Sequence, residues 1–458
     1  MTQTSVTHTA RSTEKRSSGR TSARSSTRPR APSTAVTATP LTNRSSKTST
    51  STRRRRPPTP PSPSRAAPDD TLSLHVQRGN LVKRPIKKRW STDQLITGIE
   101  FGDWFKMLAD NGFKVSPEYF HRAAWITGWS LPATLFGKLE DARYGRQLAA
   151  MDVEPTPLFI LGHWRSGTTH MHNMLGRDPN NTFSTVYQCV FPSSFLTTEK
   201  FLPQLTGGLL TDTRTYDNVK FGWHEAAEDE IALAKLCGLS PYVAFMFPDN
   251  AAKYEKYVDF IEATQKERET WKQSFTYLLK KIMVATGGKR VVVKSCTHSA
   301  RIRLLLEMFP NAKFIHIHRH PYKCFASTLH MRSHTDWENF FHLPDEDIEG
   351  ARMRQTAALG KRVFERLIED KHLIPEQNFY EIAYDDLVGN ELDVMRDIYA
   401  QLEIPGWGPF ESVLAEYLES IKGYKTNKLN ISDEFKQMVY DEWRIVFDHY
   451  GYDREYEP

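Results

Sequence analysis

Cysteine is scarce and widely spaced in this chain: Cys189, Cys237, Cys296 and Cys324 are the only four in 458 residues, and no two form a Cys-x-x-Cys pair. That excludes a disulfide scaffold and the common cysteine zinc sites. It fits reduced thiols in a cytosolic-type compartment, so a cytoplasmic location is expected. No run approaches the ~18 consecutive apolar residues of a membrane span, and nothing near the N-terminus has the apolar core of a secretory signal. Acids are nearly missing from residues 1 to 68, where fourteen Lys and Arg meet only Glu14. Removing that +13 from the whole-chain charge of +6 leaves −7 for the rest, so the sequence pI near 8.9 reports the tail. A nucleic-acid-binding face is not expected.

Residues 1 to 70 are dominated by Ser, Thr, Arg and Pro, including Arg53-Arg54-Arg55-Arg56-Pro57-Pro58. Such a segment cannot bury enough surface to offset ordering entropy and reads as a disordered basic tail. Its acid-poor, Arg- and Ser-rich character is also compatible with an organelle transit peptide. From 71 to 150 a helical preamble is expected. Leu95, Ile96, Ile99, Phe101, Trp104, Phe105 and Leu108 give one amphipathic start, and Pro117 opens a second helix through Trp125 and Leu131.

The remaining chain, 151 to 458, reads as an α/β domain organised around one stretch. Leu158 to Leu161 is a buried strand, Gly162 and Gly167 bracket a tight loop, and Thr168 to Leu175 is a helix. A Gly- and Ser-containing loop entering a helix start aims backbone N–H groups and the positive end of the helix dipole at one point, which suits a phosphate. The Gly-x4-Gly spacing matches a nucleotide P-loop, yet Thr168 stands where the phosphate-binding lysine belongs and the fixed cation is Arg165. ATP or GTP hydrolysis is disfavoured on that ground. An unliganded β-to-α turn is the plain alternative.

Residues 183 to 290 read as mostly helical, with Trp223 to Leu239 and Tyr254 to Val284 as the strongest helices. His224-Glu225-Ala226-Ala227-Glu228 has Glu228 where a zinc helix would need its second histidine, so no metal site is expected. Tyr242, Phe245 and Phe247 can wall an acceptor pocket or simply fill the core. Further strand–loop–helix units follow. Arg290 to Val293 leads through Lys294–His298 to a helix from Ala300 to Met308, and Ala312 to His318 leads through Arg319–Lys323 to a helix from Cys324 to Met331. Asn378 to Ala383 leads through Tyr384–Leu387 to a helix from Glu391 to Leu402. Alternating strands and helices predict a P-loop-like three-layer α/β fold, a central parallel sheet flanked by helices, with a helical N-terminal preamble and helical insertions. Ligands of such sheets bind beyond the carboxyl ends of the strands.

Three of those strand ends carry Arg165, Lys294 and Arg319, with hydroxyls at Ser166, Thr168, Thr169 and Ser327. That set suits a ligand with phosphate groups at two separated places. His298, four residues beyond Lys294, is a candidate general base.

On these residues the chain resembles the PAPS-dependent sulfotransferases, in particular the broad bacterial group with a Gly-x-x-Arg-Ser-Gly-Thr-Thr loop. The resemblance implies that Arg165, Ser166, Gly167, Thr168 and Thr169, with His170 following, bind the 5′-phosphosulfate of 3′-phosphoadenosine 5′-phosphosulfate (PAPS). It implies that Arg319 and Ser327, eight residues apart, grip the 3′-phosphate. Tyr384-Asp385-Asp386-Leu387 resembles a segment whose tyrosine lies near the adenine. Lys294 and His298 resemble a Lys-Thr-His stretch whose histidine is the base, although the interval here is two residues longer. A carboxylate serves as base in some members, and Glu225, Glu228, Asp229 or Glu230 can fill that role. The C-terminal Arg-Lys-Gly of cytosolic members is absent, and Lys425 and Asn427 are candidates to replace its contacts.

The expected reaction moves a sulfuryl group from PAPS as co-substrate to a hydroxyl or amine of an acceptor, releasing PAP. His298 is the expected base, with Arg165 and Lys294 stabilising charge. No tightly bound cofactor, metal or nucleic acid is expected. The aromatic, helical insertion favours a partly apolar acceptor such as a lipid, sterol or phenol over a glycan or peptide. The rival readings are a P-loop NTPase or nucleotide kinase, and a non-catalytic adaptor working through the basic tail.

Overall fold

The computed structural model describes residues 94–206, 220–345, 347–423 and 431–456. The tail expected over 1 to 70, and Lys425 and Asn427, lie outside the described residues.

Four consecutive apolar residues with no turn former make a strand buried on both faces, and β1 (Leu158–Leu161) is fully buried along its length. It sits at the centre of a five-stranded parallel sheet with β2 (Asn181–Thr182), β3 (Arg290–Lys294), β4 (Lys313–His318) and β5 (Phe379–Ala383), in the order β2-β3-β1-β4-β5. Phe159 is paired with Val293 on one side and Phe314 on the other. The chain passes from β3 over β1 to β4, so the loops after β1, β3 and β4 gather at one edge, where the strand order switches.

Alternate residues of a strand face opposite layers. Leu158 and Ile160 join Met171 and Leu175 of α3 (Thr168–Leu175) and Ile398 of a later helix (Glu391–Gln401). Phe159 and Leu161 join Phe275 and Leu278 of the long helix Gln265–Thr286. The two apolar layers make the sheet the middle of a three-layer α/β structure, as expected.

Ahead of the sheet lie α1 (Phe101–Asp110) and the 31-residue α2 (Phe120–Ala150). The Gln265–Thr286 helix is tied to α2 by an ion pair between Lys281 and Glu140, both side chains fully buried. Glu140 also accepts from the Thr197 backbone N–H at 2.8 Å, and Lys281 donates to the Pro192 carbonyl at 2.5 Å.

Three expected helices have other bounds. Trp223–Leu239 is helical only over Asp229–Leu236, because the preceding backbone is engaged elsewhere. Val186 and Tyr187 N–H groups donate to the carbonyls of Glu225 and Trp223, and Ala227 N–H donates to the Ser184 carbonyl. Tyr254–Val284 is broken because Phe260 adopts a left-handed φ of 60° and Thr264 and Glu267 form a reciprocal capping box that starts a new helix. The helix expected to begin at Cys324 begins at Pro321 and runs to Asn339, proline being well suited to a first helical position.

The Glu140–Lys281 pair generates a stability prediction. Lys281→Met leaves a buried carboxylate without its cation and is expected to cost about 3–5 kcal/mol in denaturant titration. Adding Glu140→Gln, which keeps the bond from Thr197, should recover much of that loss.

Candidate active site

The loop after β1 is shaped by its glycines. Gly167 has φ 108°, and a Cβ there would overlap the ring of Tyr384, so only glycine lets the helix start approach that aromatic. Arg165 is held at φ 68°, uncommon for a residue with a side chain. This turn sends Trp164 to one side and Arg165 to another.

On the Arg165 side, its Nε donates to Ser327 Oγ at 2.9 Å, and Arg319 Nη1 donates to the Arg165 carbonyl at 3.3 Å. The Arg319 guanidinium lies 4.1 Å from the centroid of Tyr384, the same ring that covers Gly167. Arg165, Arg319, Ser327 and Tyr384, which come from three separate strand ends and one helix, therefore form one group. Ser166 Oγ, Ser295 Oγ and Arg319 Nε are buried beside it or on the neighbouring strand end without a protein hydrogen-bond partner. Buried polar atoms are seldom left so, and unused donors near two guanidinium groups fit an anionic ligand. Thr168 is buried with its hydroxyl 4.0 Å from Cys296 Sγ, and His170 turns to Glu391 at 3.5 Å.

On the Trp164 side lies a cavity of about 270 Å³. Its walls are mostly apolar, with Leu95, Val186, Trp223, Ile231, Phe245 and Met331 among them, and carry polar groups that include Glu228, Lys294, Tyr242, Arg332 and Asp336. Glu228 is the polar focus. Its Oε1 accepts from Lys294 Nζ at 2.5 Å and its other oxygen accepts from the Tyr242 hydroxyl, which in turn accepts from Trp164 Nε1 at 3.0 Å. Burial raises the Tyr242 pKa well above the ordinary phenol value, and the Glu228 charge raises it further. Tyr242 is thus a neutral donor that fixes the carboxylate. Burial also pulls His163, another wall residue, down to about 4, so it is uncharged at neutral pH.

Three consecutive acids diverge at the start of α4 (Asp229–Leu236). Glu228 turns to the cavity. Asp229 Oδ2 meets His298 Nε2 at 2.6 Å, and Glu230 accepts from Arg301 at 2.6 and 3.0 Å and from Thr297 at 3.0 Å. All the side chains in the last two groups are buried.

His298 is the sequence expectation that the structure does not bring to the cavity. After β3 the chain enters a tight turn, Cys296–Ala300, that swings His298 back beneath the sheet. There its ring is fully buried among Phe159, Trp271 and Phe275. A base must reach the acceptor, and an imidazole enclosed in the core and bonded to Asp229 does not. Glu228 is the member of the acidic alternatives that lines the cavity; Glu225 pairs with Lys220 at 2.8 Å. Of the aromatic trio, Tyr242 and Phe245 are walls, whereas Phe247 stacks on Phe341 in the core. Sequence reading missed Trp164 and the face of the Pro321–Asn339 helix bearing Thr328, Met331, Arg332, Thr335 and Asn339. Their three- and four-residue spacing is the signal that could have shown them.

Among the described residues, no helix is long and apolar enough to cross a membrane, and no group of three or more His, Cys, Asp or Glu could hold a metal ion. The solved sulfotransferase STF9 of Mycobacterium avium superposes with a TM-score of 0.57 at 20% identity, covering 78% of this chain and 93% of that one, and shares the fold. Proteins of Mycobacterium bovis and Mycobacterium tuberculosis named omega-hydroxy-beta-dihydromenaquinone-9 sulfotransferase are each 33% identical over 370 residues, 80% of this chain and 93% of theirs. Residues 157–409 match the sulfotransferase family as a whole. With the loop after β1 at its centre, the chain belongs to the sulfotransferase family and is a sulfuryl-transfer enzyme.

Proposed function

We propose that the chain transfers the sulfuryl group of PAPS to the hydroxyl of a lipophilic alcohol, with Glu228 as general base. The observation that carries this reading is the Glu228 carboxylate, which is held between Lys294 and Tyr242 in the wall of a mostly apolar cavity.

The donor's 5′-phosphosulfate lies on the loop Arg165–Thr169 and its 3′-phosphate on Arg319 and Ser327. The contact of Arg165 with Ser327 supports one continuous site for both ends. Tyr384 stacks beside the adenine. Lys425 and Asn427 stay in the proposal as further donor contacts. The acceptor oxygen attacks sulfur from the cavity side, an O–S bond forms, and the S–O bond to PAP breaks. Its proton passes to Glu228. Lys294, within 2.5 Å of that carboxylate, turns its charge to the bridging oxygen as PAP leaves. His163, being neutral, adds shape and no charge.

The acceptor class follows from the walls. Leu95, Val186, Trp223, Ile231, Phe245 and Met331 offer an apolar stem its burial, and Glu228 offers a hydroxyl an acceptor for its proton. The names of the 33% identical relatives, which specify an omega-hydroxy substrate, support a terminal alcohol here too.

Replacing the base while keeping its shape, Glu228→Gln, is expected to lower kcat by about 10²–10⁴. PAP binding by calorimetry should stay close to that of the parent; undiminished turnover would sink the role. Arg319→Ala should weaken PAP by about 1.5–3 kcal/mol, roughly tenfold to a hundredfold in Kd. An unchanged PAP affinity would remove Arg319 from the donor site. Across a series of primary alcohols, kcat/KM should rise roughly fourfold per added methylene, about 0.8 kcal/mol each, until the cavity is filled. A flat series would count against a lipophilic acceptor.

A further inference from the structure

Large apolar side chains left exposed are not spread evenly over this molecule. Of the thirteen among the described residues, nine lie between Phe101 and Leu205. Their centre is α2. Its inner face buries Ile126, Ala133 and Glu140, while its outer face carries Phe120, Ala124, Gly128, Leu131, Leu135, Leu139 and Ala142, all exposed. Steps of three and four keep these seven on one stripe roughly 33 Å long. Phe120, Leu131, Leu135 and Leu139 are each more than half exposed. Phe201, whose ring meets Phe136 of α2 at 6.3 Å, and Leu205 extend the stripe sideways. A soluble surface rarely leaves so continuous an apolar patch without a use.

Charge says what covers it. Lys138, Arg143 and Arg146 are exposed beside the C-terminal half of the stripe. Asp141, the exposed acid of α2, has its carboxylate engaged by the Tyr277 hydroxyl at 3.0 Å. An anionic surface would neutralise these cations. Long basic side chains beside an apolar helical stripe are the arrangement by which a helix lies in a bilayer interface.

The buried side of α2, near its N-terminal end, is tied to the cavity wall. Arg122 of α2 donates to the carbonyls of Trp337 and Phe340 at 2.7 Å each. The intervening Glu338 and Asn339 line the cavity, and Asn339 Oδ1 accepts from the N–H of Leu95, another wall residue.

From the apolar stripe and its flanking cations we propose that the outer face of α2 docks the enzyme on an anionic lipid bilayer, holding it at the membrane in which a lipophilic alcohol would be dissolved. The choice of a lipid partner rests in part on the lipophilic-acceptor reading above; the docking itself can be tested without any substrate. The test is flotation of the full chain with vesicles of phosphatidylcholine, with and without phosphatidylglycerol, against two variants. Leu131→Ser/Leu135→Ser/Leu139→Ser should lower the vesicle-bound fraction roughly 10- to 100-fold. Lys138→Glu/Arg143→Glu/Arg146→Glu should abolish the preference for phosphatidylglycerol at low salt. Both variants should keep the parent's melting temperature and its turnover on a short water-soluble alcohol. Docking is overturned if the parent stays unbound, if the leucine variant floats as well as the parent, or if light scattering shows a parent dimer that the leucine variant loses. Leucine-dependent flotation together with no sulfation of any alcohol would uphold docking and discard the acceptor reading alone.

Discussion

The site is held in place by two buried contacts at the head of α4, Asp229 to His298 and Glu230 to Arg301. A charge withdrawn from water is tolerated only with a partner in good geometry, and separating either pair would strand an ion in the core. The head of α4 therefore has one position relative to the turn after β3. Arg301 reinforces it by donating to the carbonyls of Tyr257 and Val258 as well. Because Glu228 immediately precedes these anchors and Lys294 ends the strand that feeds the same turn, the two meet, one from the cap of α4 and the other from the last position of β3. His298 thus helps to fix the start of the helix, beside which Glu228 reaches the cavity.

A second constraint comes from the sheet. With β1 between β3 and β4, the loop after β1 has a strand end on each side, and close packing leaves no room for a side chain at Gly167. The loop becomes a shared wall. Its Arg165 joins Ser327 and Arg319 in a cluster of charge, and its Trp164 joins Tyr242 and Glu228 in the cavity. A transfer reaction needs such a division, because donor and acceptor must reach one atom from opposite directions while demanding opposite surroundings.

The helices before the sheet add a third layer of organisation. The inner face of α2 is pinned by the Glu140–Lys281 pair and by Arg122, so its outer face is presented in a fixed orientation. A helix apolar on two sides is costly to leave in water. That cost is what makes its outer stripe informative about surroundings beyond the single chain.

The sequence alone determined four of the five strands and the strand-end residues that cluster beyond them. Strands β1, β3, β4 and β5 and the helix Thr168–Leu175 are local signals, set by apolar runs, glycine placement and strand–helix alternation, and fall within a residue or so of expectation. Arg165, Arg319 and Ser327 were legible because each lies in or just beyond a strand-end loop, and parallel topology brings such loops together. Tertiary structure alone decided which nearby acid or imidazole faces the cavity. Glu228, Asp229, Glu230 and His298 are indistinguishable by residue type and spacing, and burial in three dimensions separates them: one turn after β3 sends His298 into the core, and pairing of Asp229 and Glu230 leaves Glu228 outermost. The helix expected over Trp223–Leu239 failed for the same reason, since its first residues bond to a segment some forty residues earlier, which no local periodicity can report.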